Sequence, residues 1–395
     1  MKIATMARGY LPAPHPSDMT NAPSDIAVAV AEGLALAGHE VTFFAPNGSN
    51  LPFTKVETLN LQPLVQQLSD LTDIMAMEAK SSHNVLGLWD QYMAHEMFIR
   101  ARRGEFDVLH FHHPEAAMPF ARLYPEVPVV YTIHDPVDTW FGVAMRLYGS
   151  PNQHYVSISD NQRKAAPDLP YLATVHNGID TEMFEFNDQA DNYLLFSGRI
   201  MPDKGVREAI LVAEATGSRL IITGALYANQ MEYFETQVKP HLNDNILYMG
   251  FMERDVLVTY YQKARALLFP IQWEEPFGLT MIEAMSCGTP VIAMPRGSVP
   301  EVVVDGKTGY IVRTVAEMVQ AVSKIDRIKR ADCRAHAVNN FSNETMARSY
   351  AQALGKAVAR VKKPGKLKLI QDERALKRPA RIKLVAGVIS GFMRG

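Results

Sequence analysis

Short, almost entirely apolar runs alternate with helical patterns along this chain, and that alternation limits the folds open to it. The first half contains the runs KIATMA, VTFFAP, DVLHFH, VPVVYTIHD and HYVSIS, with helical segments such as DIAVAVAEGLALAGHE between them. The second half contains NYLLFSGR, SRLIITG, NILYMGF, RALLFPI, TPVIAM and TGYIV, separated in the same way. Strands that are apolar on both faces are typical of parallel sheets covered by helices on both sides. The sequence therefore predicts an α/β protein built on parallel sheets.

Chain length and one polar segment divide this pattern into two domains. The chain has 395 residues, more than a single core of ordinary size accommodates. Segment 174–192 contains the turn signal Asn177-Gly178 followed by polar residues, and it lies between the two halves. We predict a Rossmann-like domain over 1–175, a second one over 176–345, a helix over 346–361 that crosses back to the first domain, and a basic tail over 362–395.

Charge and composition exclude several functional classes. The formal net charge is -2, so no overall positive field favours nucleic acid. Segment 360–395 nevertheless holds eleven Lys and Arg against two acids, which suggests either a surface extension or electrostatic attachment to an anionic membrane. Cys287 and Cys333 lack metal-type spacing, and no apolar run reaches the ~18 residues of a membrane span. We expect a cytoplasmic protein, with peripheral contact at the inner face of the membrane through tail 362–395 as an alternative.

The segment SGRIMPDKG places two cations between a strand and a helix. Arg199 follows the strand NYLLF, and Lys204 precedes the helix that begins in KGVREAI. Ligands of open parallel sheets bind beyond the carboxyl ends of the strands, and a helix N-terminus favours an anion. The pair predicts a phosphate or diphosphate site, although a solvated turn built on Pro202-Asp203 is an equal alternative.

The segment WEEPFGLTMIEAMSCG places two acids around a second strand-to-helix junction. Glu275 precedes Pro276 at the end of a strand, and Gly278 allows a ligand close to the backbone. The N–H groups of Leu279, Thr280 and Met281 would then point outward from a helix start. Thr280 and Glu283 also fit a capping box, a structural use of Glu283. Glu275 lacks such a structural use, so the spacing favours a Glu275 carboxylate that accepts hydrogen bonds from sugar hydroxyls.

Several segments together resemble the family 4 retaining glycosyltransferases of the GT-B fold. Glu275 to Glu283 matches their E-x(7)-E motif, and AMSCGTPVIAMPRGSVPEVVVDGKTGYIV matches the pattern that follows it. FSGRIMPDKG resembles the family's G-R-x-x-x-x-K-G phosphate loop, VHNGIDTEMF its interdomain segment, and FSNETMARSY its closing segment. The matches fall in the expected order over about residues 1–350. The resemblance implies two Rossmann-like domains that face each other across a cleft.

The same resemblance implies roles for the matched positions. Glu275 would bind the 3- and 4-hydroxyls of the donor sugar, and Glu283 the ribose hydroxyls. Arg199 and Lys204 would bind the diphosphate and stabilise the leaving group, so no metal ion would be needed. The expected catalytic residues are therefore His134, Glu275, Arg199 and Lys204. The remaining donor contacts would come from the base-binding positions and from the backbone amides of the sugar and phosphate pocket, namely Phe251, Met252, Phe277, Gly278, Leu279 and Thr280.

Histidines follow two strands of the first half. His134 ends VPVVYTIHD, and a lone histidine at a strand end is more often structural. The resemblance reverses that interpretation, because the family carries a comparable His-Asp pair near the donor sugar. HFHHP adds His110, His112 and His113, and His110 and His112 would share a strand face. Without a Cys or acid at ligand spacing, we expect these three to line the cleft or to be solvated, and we do not expect a zinc site.

The first loop departs from the family pattern. It reads ARGYLPAPHPSDMTNAPSD, with Gly9 alone where paired glycines are common. Phosphate contact from the first domain is therefore left open. We expect a stiff loop that shapes an acceptor site around Gly9, with His15, Asp18 and Asn21 as candidate contacts.

The sequence therefore predicts transfer of a hexose from a nucleotide sugar to a hydroxyl of a glycan, lipid or small molecule. A UDP-hexose is the expected donor and GDP-mannose the alternative; no cofactor is expected. A nucleotide-sugar-binding protein without turnover is a rival outside enzymes. A phosphorylase-like enzyme would need a pyridoxal-phosphate lysine that we cannot place, and a dinucleotide oxidoreductase a G-x-G-x-x-G that follows no strand.

Overall fold

A computed structural model describes residues 1–81 and 83–361. Its strands form two sheets, and every strand pair within them is parallel. The first sheet has the order β3-β2-β1-β4-β5-β6-β7 and the second β10-β9-β8-β11-β12-β13. The strands are β1 (Lys2–Met6), β2 (Glu40–Phe44), β3 (Lys55–Glu57), β4 (Val108–Phe111), β5 (Val129–Ile133), β6 (Gln153–Ser157), β7 (Tyr171–Thr174), β8 (Tyr193–Ser197), β9 (Arg219–Thr223), β10 (Ile246–Tyr248), β11 (Ala266–Phe269), β12 (Val291–Ala293) and β13 (Gly309–Ile311). The expected α/β class with parallel sheets is confirmed.

Helices cover both faces of each sheet, as the apolar strands require. They are α1 (Ala22–Leu36), α2 (Leu68–Ser81), α3 (Val85–Arg102), α4 (Pro114–Ala121), α5 (Thr139–Leu147), α6 (Asp160–Arg163), α7 (Val206–Thr216), α8 (Met231–Tyr233), α9 (Arg254–Lys263), α10 (Leu279–Ser286), α11 (Val299–Val302), α12 (Val315–Val322), α13 (Arg330–Phe341) and α14 (Asn343–Val361). The central strands are buried along almost their whole length, so each sheet forms the middle layer of a three-layer domain.

The chain returns to the first sheet through α14. Tyr350 and Leu354 of this helix are fully buried in the same cluster as Ile3 and Val130 of the first sheet. α14 packs along α1 so closely that a Cβ on Gly33 would lie 2.6 Å from the Cβ of Ala347. Burial of these side chains attaches the last helix to the first domain, since apolar area removed from water is the main stabilising contribution.

Polar contacts join the two domains across the cleft between their sheets. Asp25 on α1 forms a 2.7 Å ion pair with Arg254 at the start of α9. Glu301 on α11 accepts hydrogen bonds of 2.8 Å from the amides of both Asp160 and Asn161. These contacts hold the ends of both sheets close together. Strand ends of the two sheets thus define the walls of the cleft.

Two expectations about the membrane concern different parts of the chain. The basic tail 362–395 and its proposed membrane contact lie outside the described residues. Within residues 1–81 and 83–361, no helix combines the length and apolar character needed to cross a bilayer.

Candidate active site

Glu275 and Lys204 are in contact at the carboxyl ends of the strands of the second sheet. The Lys204 ammonium lies 2.5 Å from Oε2 of Glu275, and the Trp273 indole N–H donates to the same oxygen at 3.0 Å. The ammonium also lies 5.1 Å from the centre of the Trp273 ring, within cation–π range. Glu275 is only 8% exposed, and a carboxylate so buried requires a cation or hydrogen bonds. The two residues expected to bind sugar and phosphate therefore lie in direct contact.

Gly297 and Ser298, which form the loop of α11 that leads into this helix, hold the backbone of Glu275 in place. The Ser298 amide donates to the Glu275 carbonyl at 2.9 Å, and the Ser298 hydroxyl donates to the Phe277 carbonyl at 2.5 Å. The Gly297 amide donates to the Glu274 carboxylate at 2.8 Å. Gly297 has a φ of 60°, and a Cβ at this position would lie 2.7 Å from the Glu275 carbonyl carbon. Only glycine fits there without displacing Glu275.

Helix α10 begins at Gly278, and the expected capping box is wrong. Gly278 is the N-cap with a φ of 81°, and no side chain caps this helix. The left-handed glycine turns the chain into the helix two residues earlier than the sequence pattern indicated. Thr280 therefore lies inside the first turn, where its hydroxyl is buried without a partner.

The backbone amides of this first turn are not all available to a ligand. The Met281 amide donates to the Gly278 carbonyl at 3.1 Å, so it does not point outward from the helix start as expected. The N–H groups of Leu279 and Thr280 belong to the first turn of α10, where amides have no carbonyl partner within the helix. Gly278, Leu279 and Thr280 are half-buried, whereas Phe277 is buried.

The Glu283 carboxylate accepts a hydrogen bond from a tyrosine hydroxyl, whereas a capping box would require one from a backbone amide. The Tyr261 hydroxyl lies 3.0 Å from Oε2 of Glu283 and 3.1 Å from Oγ of Ser197. Burial raises the pKa of the Glu283 carboxyl, against the opposing influence of the Arg254 charge and the Tyr261 hydrogen bond. Tyr261 thus connects the E-x(7)-E segment to the strand end at Ser197, a link that spacing along the sequence could not reveal.

Arg199, Phe251 and Met252 lie at neighbouring strand ends of the second sheet. Arg199 follows β8 and is exposed, and among the described residues its side chain has no ion-pair or hydrogen-bond partner. Phe251 follows β10 and is 41% exposed, while Met252 is half-buried. The order β10-β9-β8-β11 places these residues along the same edge as Glu275. The expected donor contacts are therefore spread along one edge of the second sheet.

His134 lies at the end of β5 within a cluster of histidines. His112 Nδ1 and His134 Nε2 are 2.8 Å apart, and the two rings stack at 5.1 Å and 16°. His110, His112 and His113 are each 5% exposed or less, so of the two expected alternatives, lining the cleft or being solvated, solvation is wrong. Burial lowers the pKa of His134 well below its usual value, as do the charges of His113, His110 and Arg8, with Glu115 opposing. His134 is therefore neutral at neutral pH.

An ion-pair network that sequence reasoning missed surrounds the first loop. Arg8 lies 2.9 Å from Asp90 and 3.2 Å from Glu115. The Gly9 amide donates to Asp90 at 2.6 Å, so this amide is not available to a phosphate. Burial would raise the pKa of Glu115, but its bond to His113 and the Arg8 charge lower that pKa to about 2. The position of Arg8 directly after β1 was a signal for this site, whereas Asp90 on α3 gave none.

The other residues expected at an acceptor site have structural partners. His15 lies 3.1 Å from Asp25, the residue that pairs with Arg254. Asp18 accepts from the Leu68 amide at the start of α2, and Asn21 caps α1. A cleft of about 880 Å³ opens beside this loop, between α1 and the segment that begins α14. Of the three, only His15 lines that cleft.

Among residues 1–81 and 83–361, no three His, Cys, Asp or Glu side chains converge as metal ligands would. Two cations follow strand β8: Lys204, which is held by Glu275, and Arg199, whose exposed side chain has no partner among the described residues. The arrangement offers positive charge to an anion through side chains and backbone amides.

Two family models match the chain, one for each domain. Residues 26–183 match the model described as Glycosyltransferase Family 4, and residues 179–345 match Glycosyl transferases group 1. The chain is 28% identical over 379 residues to glycogen synthase of Mycobacterium tuberculosis (strain H37Rv), covering 81% of this chain and 87% of that protein. It is 29% identical over 229 residues to D-inositol 3-phosphate glycosyltransferase of Mycobacteroides abscessus, covering 53% of this chain and 52% of that protein.

Solved structures share the whole two-domain architecture. Sucrose-phosphate synthase from Thermosynechococcus elongatus superposes with a TM-score of 0.70 at 18% identity, covering 91% of this chain and all of that one. AviGT4, a glycosyltransferase involved in avilamycin A biosynthesis, gives 0.66 at 19% identity over 91% and 98%. HepE from Anabaena, in complex with UDP and glucose, gives 0.64 at 16% identity over 90% and 100%. At these identities the similarity shows the fold, and the expected GT-B architecture is confirmed.

Proposed function

This chain belongs to the group 1, family 4 glycosyltransferases, and on that premise we propose that it transfers a hexose from a UDP-sugar to an acceptor hydroxyl, with retention at the anomeric carbon and without a metal ion. The acceptor is a hydroxyl of a glycan, a lipid or a small molecule. GDP-mannose is the alternative donor. A nucleotide-sugar-binding protein without turnover is the alternative outside enzymes.

The contact between Lys204 and Glu275 carries this proposal. Cleavage of a sugar–diphosphate bond leaves negative charge on the departing phosphate, so a catalyst must supply positive charge there. Lys204 is held at that position by Glu275 and Trp273, and the amides at the start of α10 follow Glu275 closely along the chain. Oε1 of Glu275 has no partner within the described part of the chain and is open to a sugar hydroxyl. One constellation thus offers separate sites for the sugar and for the leaving group.

The proposed reaction keeps its atoms on one face of the sugar. The bond from the anomeric carbon to the phosphate oxygen breaks, and its electron pair stays with the phosphate. The acceptor oxygen forms the new bond from the same face, and its proton passes to the departing phosphate. His134 is neutral, which supports a role in orienting the donor sugar through hydrogen bonds.

The chain's similarities support a nucleoside diphosphate as the leaving group, and UDP is the nucleotide that we propose. HepE, which shares the fold, was solved in complex with UDP and glucose. A starch synthase of the same fold was solved with bound ADP and acarbose. Both of these proteins are seen with a nucleoside diphosphate and a sugar ligand. Exposed Phe251 beside half-buried Met252 offers a surface on which a base could stack. Binding measurements determine which base the site prefers.

A thermal-shift panel with EDTA tests the proposed donor site. We expect UDP or a UDP-hexose at about 100 times its Kd to stabilise the chain by about 2.7 kcal/mol, and GDP and ADP to stabilise it less. Arg199→Ala should remove most of this stabilisation. Arg219→Ala is the matched control. Arg219 is also exposed, but it is the first residue of β9 and therefore lies at the amino ends of the strands, whereas Arg199 follows the carboxyl end of β8. No shift with any nucleotide, or an equal loss in both variants, would rule out this diphosphate site.

Product analysis then separates an enzyme from a binding protein. With the stabilising nucleotide sugar and a panel of hydroxyl acceptors, we expect a glycoside with the donor's anomeric configuration, observed by proton NMR in EDTA. An inverted product would overturn retention, and a requirement for added Mg²⁺ or Mn²⁺ would overturn metal independence. Binding without transfer to water or to any acceptor would favour the non-catalytic alternative.

A further inference from the structure

A row of polar side chains runs from the cleft into the core of the first domain. His134 Nε2 lies 2.8 Å from His112 Nδ1, and the His112 ring lies 4.4 Å from that of His110. His110 Nε2 lies 2.9 Å from Oγ1 of Thr132, which donates to the Tyr350 hydroxyl at 3.0 Å. All of these residues except His134 are at most 1% exposed. A buried polar row of this kind requires that each proton has a defined position.

The position of the proton on His112 follows from its second nitrogen. Burial lowers the pKa of His112 well below its usual value, so the ring is neutral, with one donor and one acceptor nitrogen. Nε2 of His112 is buried and has no hydrogen-bond partner within the part of the chain that the structure describes. A buried N–H without an acceptor is rarer than a buried acceptor without a donor. The unpartnered Nε2 is therefore the bare nitrogen, and Nδ1 carries the proton.

This assignment fixes the state of His134. If His112 Nδ1 donates, His134 Nε2 accepts, and the proton of the neutral His134 ring must be on Nδ1. Nδ1 of His134 has no partner in residues 1–81 and 83–361, and it is not among the polar atoms sealed from solvent. His134 is half-buried at the end of β5. It therefore presents an N–H donor to solvent or to a ligand.

We propose that His112 is a positioning residue, which holds His134 in the Nδ1-protonated tautomer so that this N–H donates to a hydroxyl of the donor sugar. Donation from His134 to the sugar rests on the proposed function. The hydrogen bond between the two rings stands without it. Neutral histidine in water favours the other tautomer, with the proton on Nε2, so the fold must supply the preference. His112 supplies it from β4, the strand next to β5.

Three variants separate positioning from packing. His112→Asn keeps an amide group where Nδ1 lies, and His112→Leu keeps apolar volume but removes the donor. His110→Leu is the matched control, because it removes a fully buried histidine from the same strand that does not bond His134. The first readout is the tautomer of His134 in the free protein near neutral pH, observed by ¹⁵N NMR of histidine-labelled samples.

We expect the wild type, His112→Asn and His110→Leu to show His134 protonated on Nδ1, and His112→Leu to show the Nε2 tautomer. A wild-type His134 protonated on Nε2 overturns the proposal. Because this readout uses the free protein, it is independent of whether any sugar is transferred.

Kinetics supply the second readout. His112→Leu should lower kcat for the UDP-hexose by about 10–100-fold. Loss of a residue that orients a metal-bound histidine has an effect of this size in metalloenzymes. The Kd of this variant for UDP, which lacks the sugar, should be unchanged. His112→Asn should recover most of the activity. An equal loss of activity in His110→Leu, or a parallel loss of UDP affinity in His112→Leu, would show that His112 acts only through packing and overturn the proposal.

Discussion

Replacing Lys204 with methionine should lower kcat by about 10²–10³-fold, because the leaving phosphate then loses a fixed positive charge in a partly enclosed site. Methionine keeps much of the aliphatic length, so contact with the Trp273 ring is retained. The KM for the donor should rise less than kcat falls, because charge on the leaving oxygen develops mainly in the transition state. Steady-state kinetics with the donor identified by thermal shift measure both quantities.

Lys239→Met is the matched control for the change in charge. Lys239 also pairs with a glutamate, at 2.6 Å from Glu235, but this pair lies on the exposed surface of the same domain. We expect its kcat to be unchanged. Equal losses in the two variants would indicate a general effect of charge, and a loss below threefold for Lys204→Met would remove Lys204 from the proposed mechanism.

Stability must be measured on the same samples, because Lys204 also neutralises Glu275. Removing the ammonium leaves the Glu275 carboxylate with the Trp273 N–H as its remaining side-chain donor in the described structure, and an unpaired buried group costs about 1–3 kcal/mol. Adding Glu275→Gln removes the unpaired charge. The double variant should therefore regain stability but remain inactive, whereas recovered activity would show that the single variant failed through unfolding alone.

Much of the fold could be predicted because burial on both faces leaves a direct trace in the sequence. β5 and β8 are wholly buried, and both appear as apolar runs. β3 and β7, at the edges of the first sheet, are short and half-buried, so their residues do not form such runs. Helix α2 has no buried residue, and its Leu68, Leu71 and Ile74 are only partly buried where they pack against the core. Elements at the surface need less apolar sequence, and pattern reasoning misses them for that reason.

In the candidate site, positions that follow a strand could be predicted from the sequence, whereas contacts between residues distant in the sequence could not. Lys204 and Glu275 could be assigned to one edge of a sheet because each follows a strand, and the structure brings them into contact. Their partners are less predictable, since Tyr261 reaches Glu283 from a different helix. The capping box failed because Gly278, in a left-handed conformation, already starts the helix. Spacing predicts which backbone positions are near a site but not which distant side chain occupies it.

Gly297→Ala should reduce both the stability and the activity of the chain, through the backbone of Glu275. A positive φ costs a residue with a Cβ about 1–2 kcal/mol, and the new methyl group would also overlap the Glu275 backbone. We expect a total destabilisation of about 2–5 kcal/mol. Relief of the overlap would move Glu275, and a shift of about 1 Å in a substrate-positioning group can cost about 10²-fold in rate. Denaturant unfolding and kcat/KM for the donor measure the two effects.

Gly306→Ala separates the overlap from the strain of a positive φ. Gly306 has a φ of 74°, but a Cβ there would meet nothing within 4 Å. This variant should lose about 1–2 kcal/mol of stability and keep its activity. If Gly297→Ala loses no more stability than Gly306→Ala and remains active, the loop of α11 does not position Glu275. If activity falls only in Gly297→Ala at a temperature where both variants are folded, the geometry of the Glu275 backbone is what catalysis requires.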